Sequence, residues 1–388
     1  MSEPAALDRD PALSARASTD ALVERLGRLS AEAERAGLDA VLVGPGANLR
    51  YLVGHSVPSH ERLTCLVIVP GASPRLLVPA LERPGWDGVP TDALGVEAVT
   101  WLDGQDPHAL LASLLPAAAR VLGVDDDLPA RHLLRVQAAV DGSRLRLAGP
   151  TISELRMRKS GDEVAALAAA GAAIDRVQAR MGEWLWAGRT ERDVAADIAA
   201  AIVQEGHATA DFVIVGSGPS GASPHHEAGE RTIREGDSVV VDIGGPTPAG
   251  YCSDCTRTYV VGAPVDRELE TVHEVVRRAQ QAGVAAARAG SSCDSVDAAS
   301  RTVIEEAGYG EYFITRTGHG IGLEVHEEPY LVAGNERPLE PGMAFSVEPG
   351  IYLPGRFGVR IEDIVVVDDD GSPRRLNHFD TSLVRLAP

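Results

Sequence analysis

Five side chains give this sequence its chemistry: Asp242, Asp254, His319, Glu348 and Glu362. They stand in the segments Ser238-Val-Val-Val-Asp242-Ile-Gly-Gly, Tyr251-Cys-Ser-Asp254-Cys-Thr-Arg-Thr, Gly318-His319-Gly-Ile-Gly, Phe345-Ser-Val-Glu348-Pro-Gly and Val359-Arg-Ile-Glu362-Asp. Oxygen-rich sets with a single imidazole suit Mn²⁺-like ions, and a set large enough for two ions is a device for hydrolysis. Asp242 closes a run of three valines, so its carboxylate is expected at the end of a buried strand. An ionised carboxylate is costly there unless it is paired or binds a metal. Asp254 follows the turn Gly245-Pro-Thr-Pro-Ala-Gly250, which should bring the two acids side by side on adjacent strands. Glu348 and Glu362 border the apolar runs Ala344-Phe-Ser-Val and Ile364-Val-Val-Val. A structural ion pair could explain any one of these acids, but it explains four of them and a glycine-flanked histidine poorly.

The elements that must hold these residues follow from periodicity and punctuation. Strands are expected at Asp211–Val215, Ser238–Ile243 and Cys252–Val261, helices at about 267–289 and 295–307, and further strands around Glu348 and Glu362. A long alanine-rich helix is expected from Gly161 to about Trp186, and a second one from Thr190, whose side chain can cap it. The earlier part of the chain reads as a separate α/β unit. A helix capped by Thr19 or Asp20 runs to about Ala36, with Leu22, Leu26 and Leu29 on its apolar face and Gly37 as its stop. Strands follow at 39–44, 62–70, 74–79 and 121–124, with helices at 107–120 and 130–140 and a last short strand. The expected organisation is a disordered lead-in over 1–18, a first domain over 19–150 and a second over 151–388. All five candidate ligands fall in the second domain.

Composition narrows the class of partner. A net charge of −20 argues against nucleic acid and anionic membrane, which need a basic surface. No run approaches the roughly 18 apolar residues of a membrane span, and the first twenty residues lack a signal-peptide core. Four cysteines in 388 residues do not make a disulfide framework, so a cytoplasmic protein is expected. Lys159 is the one lysine beside 35 arginines, which codon bias explains. The Asp125–Asp127 and Asp368–Asp370 runs read as solvated turns.

The five residues, in this order and with the segments between them, resemble the pita-bread metallopeptidases: the prolidase, aminopeptidase P and methionine aminopeptidase superfamily. The resemblance runs from about Leu155 to the C-terminus. Gly318-His-Gly-Ile-Gly-Leu-Glu-Val-His-Glu-Glu328 is close to a signature of the proline-directed branch. Asn48-Leu-Arg-Tyr-Leu-Val-Gly54 more loosely resembles the creatinase/prolidase N-terminal domain. The implied fold is α+β: a smaller creatinase-like α/β domain, then a pita-bread domain with a curved antiparallel sheet, metals inside it and helices on its outer face.

The implied enzyme is an Xaa-Pro dipeptidase or aminopeptidase acting on short peptides through two divalent ions, Mn first, with Co or Zn as alternatives. By position, Asp242 would bind one ion, Asp254 and Glu362 both, and His319 and Glu348 the second. A metal-bridging hydroxide would attack the scissile carbonyl, with Glu348 accepting and passing on its proton. His225 matches the histidine that contacts the substrate amide. His326, seven residues after His319, matches the one that stabilises the tetrahedral intermediate or the product side. Arg360 is placed to orient substrate or a ligand carboxylate, with Tyr352 as a supporting contact or a packed aromatic. Relatives of this type also imply a homodimer.

Two departures from the family pattern are visible. Asp242 and Asp254 are twelve positions apart, one more than is usual, and Thr315 stands where many relatives have a histidine four residues before His319. The extra residue is expected in the Pro246-Thr-Pro248 turn. His226 reads as an exposed neighbour of His225, and His55, His60, His108, His132, His207, His273 and His378 as surface or structural histidines. Cys252 and Cys255 should point to opposite faces of one strand, a poor fit to a mutual disulfide or a shared zinc. Two other functions remain open on the residues alone. One is a related hydrolase for a non-proline amide or small metabolite; the other is an inactive peptide-binding module.

Overall fold

The longest helices in this chain start where the sequence supplies a side-chain acceptor for the first free N–H groups. Ser18 Oγ accepts from Ala21 N at 3.2 Å and opens the Thr19–Arg35 helix, so the cap lies one residue before the expected Thr19. Ser160 and Glu163 form a reciprocal capping box at Gly161–Gln178, and Thr190 caps Glu191–Gln204 through Asp193 N. The computed structural model describes residues 10–55, 57–58, 60–140, 142–263 and 266–387. These form two compact units, one of Arg16–Arg156 and one of the described residues before Arg16 together with those from Met157 onward.

The Arg16–Arg156 unit is built on a six-stranded mixed sheet. Its order is Glu97–Trp101, Arg75–Pro79, Cys65–Ile68, Ala40–Val43, Val121–Val124 and Arg144–Leu147. Several of its elements escaped the sequence reading, among them the Ala47–Val53 helix. Glu97–Trp101 buries only Trp101 and so carries no apolar alternation, while Gly149–Arg156 begins with a Gly-Pro pair that looks like a break. Proline is tolerated in the first helical turn because its missing N–H would be unpaired there anyway. The helix expected over 107–120 ends at Ser113, ahead of Pro116. Asp125 corrects the reading of its run as a solvated turn: it is buried and accepts from Gly44 N and Asn48 Nδ2.

In the second unit the strands divide into three groups, antiparallel throughout except where Val384–Leu386 runs parallel to Cys252–Val261. A four-stranded sheet runs Val384–Leu386, Cys252–Val261, Ser238–Pro246, Phe212–Ser217. A five-stranded sheet runs Glu327–Leu331, Gly318–Gly320, Ala344–Val347, Asp363–Val367, Pro373–Arg375, and Gly350–Leu353 pairs with Phe357–Arg360 as a hairpin. Period-two alternation sorts the central strands. Val239, Val241, Ile243, Cys255 and Tyr259 pack with Ile174, Val177, Val194 and Ile198 of the covering helices. That leaves Asp242, Asp254 and Thr256 on the opposite face. Cys252 packs in a different apolar cluster from Cys255, and both are free thiols, as the alternation requires.

The alanine-rich helix stops at Gln178 rather than near Trp186, and a 3₁₀ turn covers Met181–Glu183. Met181, Trp184 and Leu185 are buried at helix-like spacing, but Gly182 weakens helix continuation by about 1 kcal/mol. Of the lead-in, residues 1–9 lie outside the described residues. Pro11–Ser14 form a 3₁₀ turn, with Leu13 packed on Ala169 and Ala173 and its carbonyl accepting from Ala249 N at 2.9 Å.

Candidate metal centre and active-site cavity

The register of the central strands places the first two acids. Asp242 lies opposite Thr256, and Gly244 lies opposite Asp254, so the two aspartates are diagonal neighbours on one face. A Cβ at Gly244 would stand 2.2 Å from Ser253 O and 2.5 Å from the Phe212 ring, so only glycine allows this close crossing. His319 sits in the Gly318–Gly320 strand. Its N–H donates to Ser346 Oγ at 3.0 Å, and Ser346 Oγ donates to Glu348 Oε1 at 2.9 Å. Glu348 N donates to Thr317 O at 2.7 Å and Glu362 N to Thr256 O at 3.1 Å, which ties the later acids to the earlier strands.

These threads bring the expected residues together. A ligand atom from each of Asp254, His319 and Glu362 lies within 4.8 Å of the others. His319 Nε2 is 3.1 Å from Glu348 Oε1 and 3.6 Å from Asp254 Oδ2. His319 Nδ1 lies 3.1 Å from Gly320 O and donates to it, which turns Nε2 toward the acids. Burial, then the charges of Glu362, Asp242 and Glu348, pushes the Asp254 carboxyl well above the usual range. Burial, then Glu348 and Asp242, does the same to Glu362. Burial opposes the charge of Glu348 too, yet its bond to His319 holds it below the usual range.

Asp242 Oδ1 and Glu362 Oε1 are buried with no hydrogen-bond partner among the described residues. A buried carboxylate oxygen left unpaired amid three further acids is unfavourable unless a cation faces it. The donor set, four carboxylates and one oriented imidazole, fits oxygen-preferring divalent ions.

Arg360 is a cation bonded directly to a side-chain carboxylate of this group. It donates from Nη2 to Asp242 Oδ2 at 2.6 Å, from Nη1 to Tyr352 OH at 2.9 Å and from Nε to Thr256 Oγ1 at 3.1 Å. Thr256 Oγ1 in turn donates to Glu362 Oε2 at 2.7 Å. Thr256 was not picked out from the sequence, although its place two residues after Asp254 on one strand face was a usable signal. Tyr352 is buried and braces Arg360, so it is more than a packed aromatic.

The acids form part of the wall of a cavity of about 720 Å³. His225, His226, His326, Thr315 and Tyr352 line it too, with Phe212, Val213 and Ile214 giving an apolar side. His326 stands edge-on to His319 with ring centroids 4.2 Å apart, and burial pushes it down to about 4. His225 is exposed. His226 corrects its reading as an exposed neighbour: it is half-buried, with Nε2 at 2.7 Å from Glu191 Oε2. No local pattern marks this bond, because Glu191 lies 35 residues away. Among the other histidines, His207 is buried and bonded to Ser253 Oγ at 2.7 Å, and His108 and His132 pair at 3.2 Å.

The model of metallopeptidase family M24 matches residues 165–369, and that of the creatinase/prolidase N-terminal domain matches residues 25–158. The probable dipeptidase PepE of Mycobacterium tuberculosis is 50% identical over 359 residues, covering 92% of this chain and 95% of that protein. An Xaa-Pro dipeptidase of Lactobacillus helveticus is 36% identical over 357 residues, covering 89% and 94%. The crystal structure of dipeptidase PepE from Mycobacterium ulcerans superposes with a TM-score of 0.91 at 49% identity, over 96% of this chain and 100% of that one. The family works with divalent metal ions, in keeping with the carboxylate and histidine cluster. Among the described residues no helix is long and apolar enough to cross a membrane. The chain belongs to metallopeptidase family M24: it is a prolidase-like hydrolase with a pita-bread domain behind a creatinase/prolidase N-terminal domain.

Proposed function

We propose that this enzyme cleaves the amide bond before proline at the N-terminus of dipeptides and short peptides, using two Mn²⁺ ions. The observation that carries the two-ion reading is the pair of unpartnered buried oxygens, one on Asp242 and one on Glu362, within a group of four acids. In this reading Asp242 would hold one ion, Asp254 and Glu362 would serve both, and His319 and Glu348 would hold the second. Bound there, the ions supply an activated water and polarise the scissile carbonyl.

The chain's own residues do the rest. Glu348, bonded to Ser346 Oγ, takes the proton of the attacking water and delivers it to the departing amine. His225 contacts the substrate amide from the cavity wall, and His326, kept neutral by burial, donates to the carbonyl oxygen as negative charge grows there. Arg360 keeps the Asp242 carboxylate turned toward the ions. The apolar stretch Phe212–Ile214 offers the surface for an apolar substrate ring. The relatives named as dipeptidase and Xaa-Pro dipeptidase support this substrate class. We place the enzyme in the cytoplasm as a homodimer.

A substrate panel tests the reading. Protein stripped by chelator should be inactive on Ala-Pro and recover with Mn²⁺, and recovered enzyme should turn over Ala-Pro at least roughly tenfold faster than Ala-Ala. Full activity without metal would remove the metal assignment, and equal rates on the two dipeptides would remove the proline assignment.

A further inference from the structure

The wall that carries His225 is fastened through its neighbour. Glu191, whose side chain is wholly shielded from water, accepts from Ser217 N at 2.8 Å, Ser217 Oγ at 2.6 Å, His226 Nε2 at 2.7 Å and Gly229 N at 3.4 Å. Burial opposes its charge, yet the bonds from Ser217 and His226 hold its carboxyl below the usual range. An ionised carboxylate can only accept, so Nε2 is the protonated nitrogen of His226. The backbone closes the same knot, with Glu191 N donating to Arg231 O and Arg192 N to Gly229 O, each at 3.0 Å.

The other side of this stretch is cavity wall. Pro224, His225, His226, Glu227 and Ala228 all line the space in front of the acids. His226 is thus bonded to a carboxylate anchored at the start of the Glu191–Gln204 helix, while its own residue borders the substrate space. None of the five candidate metal ligands is among the partners of Glu191.

We propose that the Glu191–His226 pair is a positioning device: it fixes the 224–228 wall, and with it His225, for substrate held at the metal centre. This rests on the function proposed above. A donor shared with a fully buried carboxylate restricts the histidine ring, and a ring so held restricts the backbone on either side of it. Misplacing a substrate contact by about 1 Å can cost roughly 100-fold in rate. Loss of the pair should therefore act on catalysis with the metal content unchanged.

The test compares the Mn²⁺-loaded enzyme with His226→Ala, His226→Gln, Glu191→Gln and the Glu191→Gln/His226→Ala double variant. His226→Ala should lower kcat/KM on Ala-Pro roughly 10- to 100-fold at unchanged metal content. His226→Gln, which keeps a donor at the same reach, should recover most of the loss. The double variant should fall no further than the worse single, because one bond cannot be lost twice. Amide exchange over 223–229 should quicken in His226→Ala and return toward the parent rate in His226→Gln. Parent-like exchange together with kcat/KM within twofold of the parent would overturn the proposal, as would single losses that multiply. If the parent fails to cleave Ala-Pro, the exchange result still decides: faster exchange upholds the positioning role while the substrate assignment falls, and unchanged exchange overturns it.

Discussion

Arg360 decides how the acids of the site are arranged. One planar guanidinium reaches Asp242, Tyr352 and Thr256, and through the Thr256 hydroxyl it also orients Glu362. Two of the candidate ligand carboxylates are therefore turned by a single side chain that binds no metal itself. Arginine suits the task because its donors lie in a fixed fork, whereas a lysine ammonium is a compact point charge on a flexible stem. Arg360→Lys keeps the positive charge but cannot span three acceptors. The variant should fold, while its affinity for Mn²⁺ falls roughly 10- to 100-fold, the usual effect of losing a residue that orients metal ligands. Calorimetric titration of metal into stripped protein measures this directly; parent-like affinity would show that charge alone suffices.

The elements position these residues by close backbone approach as much as by hydrogen bonds. Gly318 precedes His319, and a Cβ there would stand 1.9 Å from Ser346 O and 2.8 Å from Ser346 C, backbone atoms that cannot swing aside. Gly318→Ala should destabilise the protein by about 2 kcal/mol or more, as steric conflict in a packed interior does, and should weaken metal binding by displacing His319. Denaturant unfolding of the metal-free protein checks the first part and metal titration the second.

The ligand segments were legible in the sequence because Asp242, Glu348 and Glu362 each close or border an apolar run and Asp254 follows a turn that pairs its strand with that of Asp242, patterns that local order alone reveals. The Thr256–Glu362 and Glu191–His226 bonds were not, because they join residues 106 and 35 positions apart. The helix expected to Trp186 failed for a related reason. Met181, Trp184 and Leu185 keep the helical period, yet tertiary burial of those three holds without a helix. Asp125 shows the opposite case, where a run of acids suggests solvent while the fold buries one of them against Asn48.

At the scale of the whole molecule, histidines that the fold keeps dry contribute to the loss of stability in acid. Burial, the largest cause in each case, pushes His207 down to about 4 and His273 down to about 4, from an ordinary value of 6.5. Their side chains are nearly inaccessible and lie outside the group of candidate metal ligands. A histidine whose folded value is depressed takes up its proton more readily in the unfolded chain. Its contribution to stability is therefore full above about pH 6.5 and is lost as the pH falls toward 4. At about 1.4 kcal/mol per unit of pKa, the two together can remove several kcal/mol, a large share of the roughly 5–15 kcal/mol that holds a protein folded. Metal-free protein should then unfold at steadily lower denaturant between pH 6.5 and 4. His207→Gln, which keeps a donor near Ser253 Oγ but cannot titrate, should flatten that slope. A slope unchanged in the variant would place the acid sensitivity in other groups.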